Sequence, residues 1–295
     1  MTHKQLLLFK ISVFLIFIGR AWQHLFWDAP FRSFFWDESL LKPIVENFLG
    51  TEWQSYATSP KTDKNIQLGI QFNGYLYLIS SIASLILSKK NIKFIKPIIF
   101  LGGISLVILA ILLTKEKFYH TAQFFEHSIQ FSAPFILIYI FSKREPLKNK
   151  LIHILKIIIA FTFLAHGLYA FGFYPVPGNF IDMVIQIFGC SEDTAKSFLY
   201  IAGILDFVIA ALIFIPKIDK YVLYYAVIWG LLTAAARLVA NFQWDFPIQS
   251  IHQYMYQVLY RLPHGLIPLI TIYIIQQTKK VKSNEVVEPE ISTTI

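Results

Sequence analysis

The chain has 295 residues, 56% of them hydrophobic and only 15% charged. A soluble domain carries about 25% charged residues, so this composition excludes an ordinary water-soluble domain and makes a lipid bilayer the expected partner. The net charge of +8 is no nucleic-acid footprint, because the lysines cluster in short joins between apolar runs, and the single Cys190 excludes an intrachain disulfide and a CxxC redox pair.

A membrane span needs roughly 20 mostly apolar residues. The first such run is 6–27; it continues through Gly19-Arg20-Ala21-Trp22-Gln23-His24 with no small-x-small cleavage site, so it reads as a retained helix. A long loop follows, dense in Trp27, Asp28, Arg32, Trp36 and Asp37. It reads first as an interfacial helix anchored by its aromatics, and alternatively as a lid in which Asp28 or Asp37 pairs with Arg20 or Arg32. Its amphipathic stretch Leu40 to Leu49 is stopped by Gly50. Spans 66–88, 93–114, 122–142 and 152–173 come next, then a short stiff loop through Pro175 and Pro177 and a second amphipathic stretch, Phe180 to Phe188, stopped by Gly189. Spans 196–216, 219–240 and 257–277 complete a set of eight, and the tail 279–295, with Glu285, Glu288, Pro289 and Glu290, is expected to be disordered.

Charge orients the spans. With eight of them, Lys4, the Lys89 to Lys96 group, the Lys143 to Lys156 group, Lys217 with Lys220, and Lys279 to Lys282 fall on one side. The opposite side is richer in Asp and Glu, so both termini are expected to be cytoplasmic.

The two halves read as one unit used twice. Pro43 to Thr51 resembles Asp182 to Cys190, Gln71 to Tyr77 aligns with Tyr200 to Asp206, and Ala133-Pro134 aligns with Ile267-Pro268. Each unit runs span, amphipathic helix, glycine turn, span, basic loop, span, span. The expected fold is therefore an all-α membrane protein, with eight transmembrane helices as two fused four-helix bundles. The bundles are residues 1–146 and 147–278, each with an outer amphipathic helix between its first two spans.

Two segments of the second half, Phe163-Leu-Ala-His166-Gly167-Leu-Tyr-Ala-Phe-Gly172 and Leu199-Tyr-Ile-Ala-Gly-Ile-Leu-Asp206-Phe-Val-Ile-Ala-Ala-Leu, resemble the first and second spans of the DoxX/DoxD-like superfamily. That family places a histidine-glycine pair ahead of a lysine and an acidic residue inside the membrane. Here Ala170 stands at the lysine position and Asp206 at the acidic one; the first half departs further, with Arg20 near the histidine position and Tyr77 at the acidic one. The resemblance implies a four-helix membrane bundle in a bacterial inner or plasma membrane. It also implies a link to quinone-dependent oxidation, with a quinone or a redox partner subunit.

Charged groups inside spans cost roughly 2.5–3.5 kcal/mol each on insertion scales, so they normally face a bundle interior and are paired. Arg20 and His24 are four apart and share a helix face; they either line an outward cavity or are structural, with Arg20 neutralised by Asp206 or Glu126. Glu126, His127 and Gln130 in the fourth span lie at the depth of Arg261 and His264 in the eighth and of Arg237 in the seventh. The expected ligand site is one outer-half pocket, or one per repeat, drawn from Arg20, His24, Glu126, His127, His166, Asp206, Arg237, Arg261 and His264. Its surplus positive charge suits an anion or a polarised carbonyl such as a quinone head group, with histidines to exchange protons. The bland alternative has Arg237 and Arg261 snorkelling to lipid phosphate.

No catalytic residue is assigned. Haem would need His166 with His127 or His264 and has no attachment motif here, so it is disfavoured. No metal is expected, since no two histidines share an i, i+4 face within a span. The leading functional expectation is a redox-associated membrane protein, in the manner of a quinone-linked oxidoreductase subunit. Two others stand beside it: a non-catalytic scaffold whose polar residues only hold helices together, and a proton-coupled small-molecule transporter. Against transport, the spans carry no Gly/Pro interruption of the broken-helix kind.

Overall fold

The computed structural model describes residues 1–143 and 148–287, and among these the chain is helical with no strand. In chain order the helices are α1 (His3–Phe26), α2 (Arg32–Phe35), α3 (Glu38–Phe48), α4 (Trp53–Thr58), α5 (Pro60–Ile86), α6 (Ile92–Glu116), α7 (Thr121–Glu126), α8 (Ser128–Ser142), α9 (Lys148–Ala170), α10 (Gly178–Phe188), α11 (Glu192–Leu212), α12 (Asp219–Val239), α13 (Pro247–Arg261) and α14 (Pro263–Val287). The tail expected from 279 is helical to Val287, and its remainder lies outside the described residues.

Six of these are long and apolar enough to cross a membrane: α1, α6, α9, α11, α12 and the α13–α14 run Pro247–Lys279. The other two expected spans coincide with α5 and with the α7–α8 pair. α5 has the length, but Gln71, Asn73 and three serines dilute its apolarity. The run 122–142 is divided at His127, leaving a shorter apolar helix, Ser128–Ser142.

α5 is nevertheless built inside out. Ser80, Ser81 and Ser84 are fully buried, while Phe72, Ile79, Ile82 and Ile86 are each more than half exposed. The buried hydroxyls are satisfied within the protein: Ser81 donates to the Leu78 carbonyl, Ser84 to the Ser81 carbonyl, and Ser80 to the Ile98 carbonyl of α6. A water-soluble helix would reverse this pattern, and the apolar girdle agrees with the composition in requiring lipid.

The packing is interlaced. α1 lies along α5 and also against α8, α13 and α14, while α9 lies along α11 and also against α7, α8 and α14. The last helices of each half thus rest on the first helix of the other. One apolar cluster runs through both, from Phe9, Val13 and Phe17 of α1 through Leu106, Ile129 and Leu155 to Ile209, Leu223 and Ile270.

Close crossings rest on glycine, as lipid-embedded helices require small residues to bring backbones together. A Cβ on Gly19 would lie 2.8 Å from the Tyr256 carbonyl oxygen, one on Gly203 2.5 Å from the Phe171 nitrogen, and one on Gly230 2.6 Å from the His264 carbonyl group. These three contacts set α1 on α13, α11 on α9 and α12 on α14.

At one end, α2–α4 form a cap. Arg32 pairs with Asp28 and Asp63, and Asp37 caps α3 at Leu40 and binds the Lys115 ammonium at 2.6 Å. Lys115 holds the Asp37 carboxyl down at about 2. Of the pairings expected for this loop, Asp28 with Arg32 forms, while Arg20 takes neither aspartate. The glycine stops are in place, with Gly50 at φ +61 and Gly189 at φ +63, the left-handed conformation that ends a helix without steric cost.

Lys156, counted above among the loop lysines, is buried and bonds Asp219 of α12 at 2.8 Å, with both side chains under a tenth exposed. Removing one partner of such a pair strands the other charge. Lys156→Met is expected to cost about 3–5 kcal/mol, with Asp219→Leu added to it recovering most of the loss, read from thermal melts in detergent.

Gly230→Ala forces α12 off α14 and is expected to cost about 1–3 kcal/mol by overpacking. Gly69→Ala meets no atom within 4 Å, so it is expected to stabilise α5 by about 0.5–1 kcal/mol. Equal melting temperatures for the two variants would overturn the role assigned to the Gly230 crossing.

Candidate functional site

Two of the expected spans are interrupted where their polar residues sit. Between α7 and α8, His127 leaves helical geometry at φ −93 and ψ 8, and its N–H turns to the Phe124 carbonyl at 3.1 Å. Between α13 and α14, Pro263 has no N–H to continue the ladder and kinks the run. The expectation of uninterrupted spans is therefore corrected: one break follows from Pro263, the other has no Gly or Pro behind it.

Histidine side chains take carbonyls in these helices. Nδ1 of His127 meets the Gln123 carbonyl oxygen at 2.9 Å, Nδ1 of His264 meets that of Arg261 at 2.8 Å, and Nδ1 of His24 meets that of Arg20 at 2.7 Å. A carbonyl only accepts, so each Nδ1 carries the hydrogen and, in the neutral ring, each Nε2 presents a lone pair. His166 has the same tautomer for a different reason: its Nε2 lies 3.3 Å from Arg261 Nη1, and a guanidinium only donates.

Arg261 is the hub. Its Nη2 binds Glu126 Oε1 at 2.5 Å while Nη1 donates to His166, joining α13 to α7 and α9. The second cation, Arg20, is buried and has no carboxylate. It donates through Nε and Nη2 to Gln130 Oε1 at 3.2 and 2.7 Å and through Nη1 to Gln23 at 2.8 Å. Its guanidinium lies 3.8 Å from the centre of the Tyr260 ring. The expected neutralisation of Arg20 by Asp206 or Glu126 does not occur, because α1 crosses α13 at Gly19 and presents Arg20 to Tyr260 instead.

A cavity of about 330 Å³ lies among α9, α10, α11, α12 and the α13–α14 kink. Phe163, Phe180, Leu199, Ala202 and Trp229 make apolar wall, and the polar groups at its lining include His166, Asp206, Thr233, Arg237, Arg261 and His264. Five of the nine expected site residues thus share one lining: His166, Asp206, Arg237, Arg261 and His264. Glu126 stands one contact behind it, on Arg261, with His127 next in the chain. Arg20 and His24 do not line it; His24 packs edge-on against Tyr77 at 5.0 Å and Phe31 at 5.8 Å.

Sequence reasoning missed Phe180 and Val184 of α10 as cavity wall, since their amphipathic stretch reads equally as a surface helix. It also missed the Lys156–Asp219 pair, although a lysine inside the run 152–173 was a signal for it.

Glu126→Gln is expected to lower stability by about 3–5 kcal/mol by stranding Arg261. Adding Arg261→Met should restore most of the melting temperature, and additive losses in the double variant would refute the coupling.

No curated protein and no solved structure matches the chain. Residues 160–251, the stretch that holds His166, Asp206 and Arg237, match the model of the DoxX-like family.

Proposed function

We propose that this chain is an eight-pass membrane protein built from two DoxX-like four-helix units, 1–146 and 147–278. In this reading it binds a quinone-like or small anionic ligand in the cavity of the second unit, as part of a redox-associated assembly. The interlaced element order supports the duplication: α1, α5, α6 and α7–α8 pair off with α9, α11, α12 and α13–α14. The lysine-rich joins favour cytoplasmic termini, with α2–α4 and α10 on the outer side.

The observation that carries the binding reading is the contrast within the cavity. Apolar and aromatic walls meet a small set of polar groups, Arg261, His166 and His264, and His264 Nε2 has no partner among the described residues. Ligand pockets have this composition, with a body held by apolar contact and a head oriented by a few polar atoms. A flat carbonyl- or hydroxyl-bearing ring fits the slot, with Arg261 to polarise an oxygen and a histidine to take a proton. A second reading, transport, gains from the breaks at His127 and Pro263 beside the same polar cluster.

Protein purified into nanodiscs is expected to carry a lipophilic small molecule at about one per chain, read from its ultraviolet-visible spectrum and from mass spectrometry of the extract. His166→Ala and the cavity-filling Ala202→Leu should both lose it while keeping their helical content. A wild-type extract holding bulk lipid alone would sink the binding reading.

A further inference from the structure

Arg237 is the one cation on the cavity lining with no counter-group among the described residues. It is 5% exposed, its side chain donates no hydrogen bond, Nε has no partner, and the face of Phe180 lies 5.9 Å from its guanidinium carbon. Arg261, beside it on the lining, is already balanced by Glu126. Asp206, the acidic residue of the lining, forms no ion pair. A guanidinium stays charged under all ordinary conditions, and an unpaired buried charge is costly enough that such groups are normally matched.

The mouth of the same cavity lies on the apolar flank of the molecule. Phe188, Leu232 and Val239 belong to its lining and are each more than half exposed. They sit on α10 and α12, bordering the seam between α11 and α12. α11 packs on α9 and α12 on α14, so that seam is a weakly joined pair of helices.

We propose that the cavity is loaded sideways from the bilayer, through the α11–α12 seam beneath α10, and that its ligand is a lipid-dissolved amphiphile. Its singly charged acidic head is bound by Arg237 and its apolar body lies along Phe180, Leu199 and Ala202. This rests on the ligand-binding reading of the cavity and narrows it from a neutral ring or an anion to a monoanion with an apolar body. The pair of acid oxygens suits the two-pronged guanidinium, and one unbalanced arginine calls for one negative charge. A carboxylate and a phosphodiester share this chemistry.

The test uses the full chain in phosphatidylcholine nanodiscs and equilibrium binding of radiolabelled decanoic acid, with decan-1-ol and menadione as neutral probes. A hydrogen-bonded charge pair corresponds to roughly a tenfold to hundredfold preference for the acid over the alcohol. Arg237→Gln is expected to abolish that preference. If that variant does not fold, the wild-type comparison of acid with alcohol decides alone. Leu232→Trp, at the rim, is expected to slow uptake several-fold at unchanged affinity.

Competition by phosphatidylglycerol doped into the nanodiscs would support the anionic head and assign its source to a lipid headgroup; indifference to it would support a free acid. Equal binding of acid and alcohol, or a preference that survives Arg237→Gln, overturns the anion, and unchanged uptake in Leu232→Trp overturns lateral loading. Menadione binding without decanoate binding would overturn this inference and leave the cavity reading standing. Binding of none of the probes would remove both.

Discussion

The Arg261 guanidinium is the point on which the interior depends. A charge this deep must be answered, and it is answered from two other helices, by Glu126 of α7 and His166 of α9. Because Glu126 belongs to the first half of the chain and Arg261 to the second, the pair fastens the halves where the α7–α8 and α13–α14 runs are interrupted. The interruptions and the ion pair explain each other: each break turns polar side chains inward at one level, and the charge pair makes that level tolerable in an apolar surround.

Around this centre the helices are positioned by absence of side chain as much as by contact. Gly230 lets α12 approach the backbone of His264, which brings Arg237 to the same lining as Arg261 and His264. Gly19 does the same for α1 and α13, laying Arg20 over Tyr260. The two arginines are thereby held in different company, one among amides and an aromatic ring, the other at the edge of a space.

Much of this was legible from residue type alone. His166, Asp206, Arg237, Arg261 and His264 stand out because they interrupt apolar windows, and a polar group in such a window has few places to go but inward. The partners were less legible. Arg20 reads as a candidate for Asp206 or Glu126, and its actual partner Gln130 follows from helix crossings that depend on where glycine permits contact. The break at Pro263 has its signal in the proline, but the sequence reading takes the spans as free of Gly/Pro interruption and misses it. The break at His127 has no such signal, since neither neighbour is Gly or Pro. α5 reads as a span from its length and position, while the inward turn of its serines emerges only once α1 and α6 are packed beside it.

The histidine tautomers carry a further consequence. With Nδ1 committed to a main-chain carbonyl at His24, His127 and His264, the neutral rings cannot turn over without breaking a bond already made, so each is a fixed acceptor at Nε2. Whatever lies against His264 Nε2 must therefore bring its own hydrogen. A hydroxyl meets it well and a bare carbonyl oxygen meets it lone pair to lone pair. The lining thus carries fixed hydrogen-bonding characters: Arg237 can only donate, and His264 Nε2 is an acceptor without a partner among the described residues.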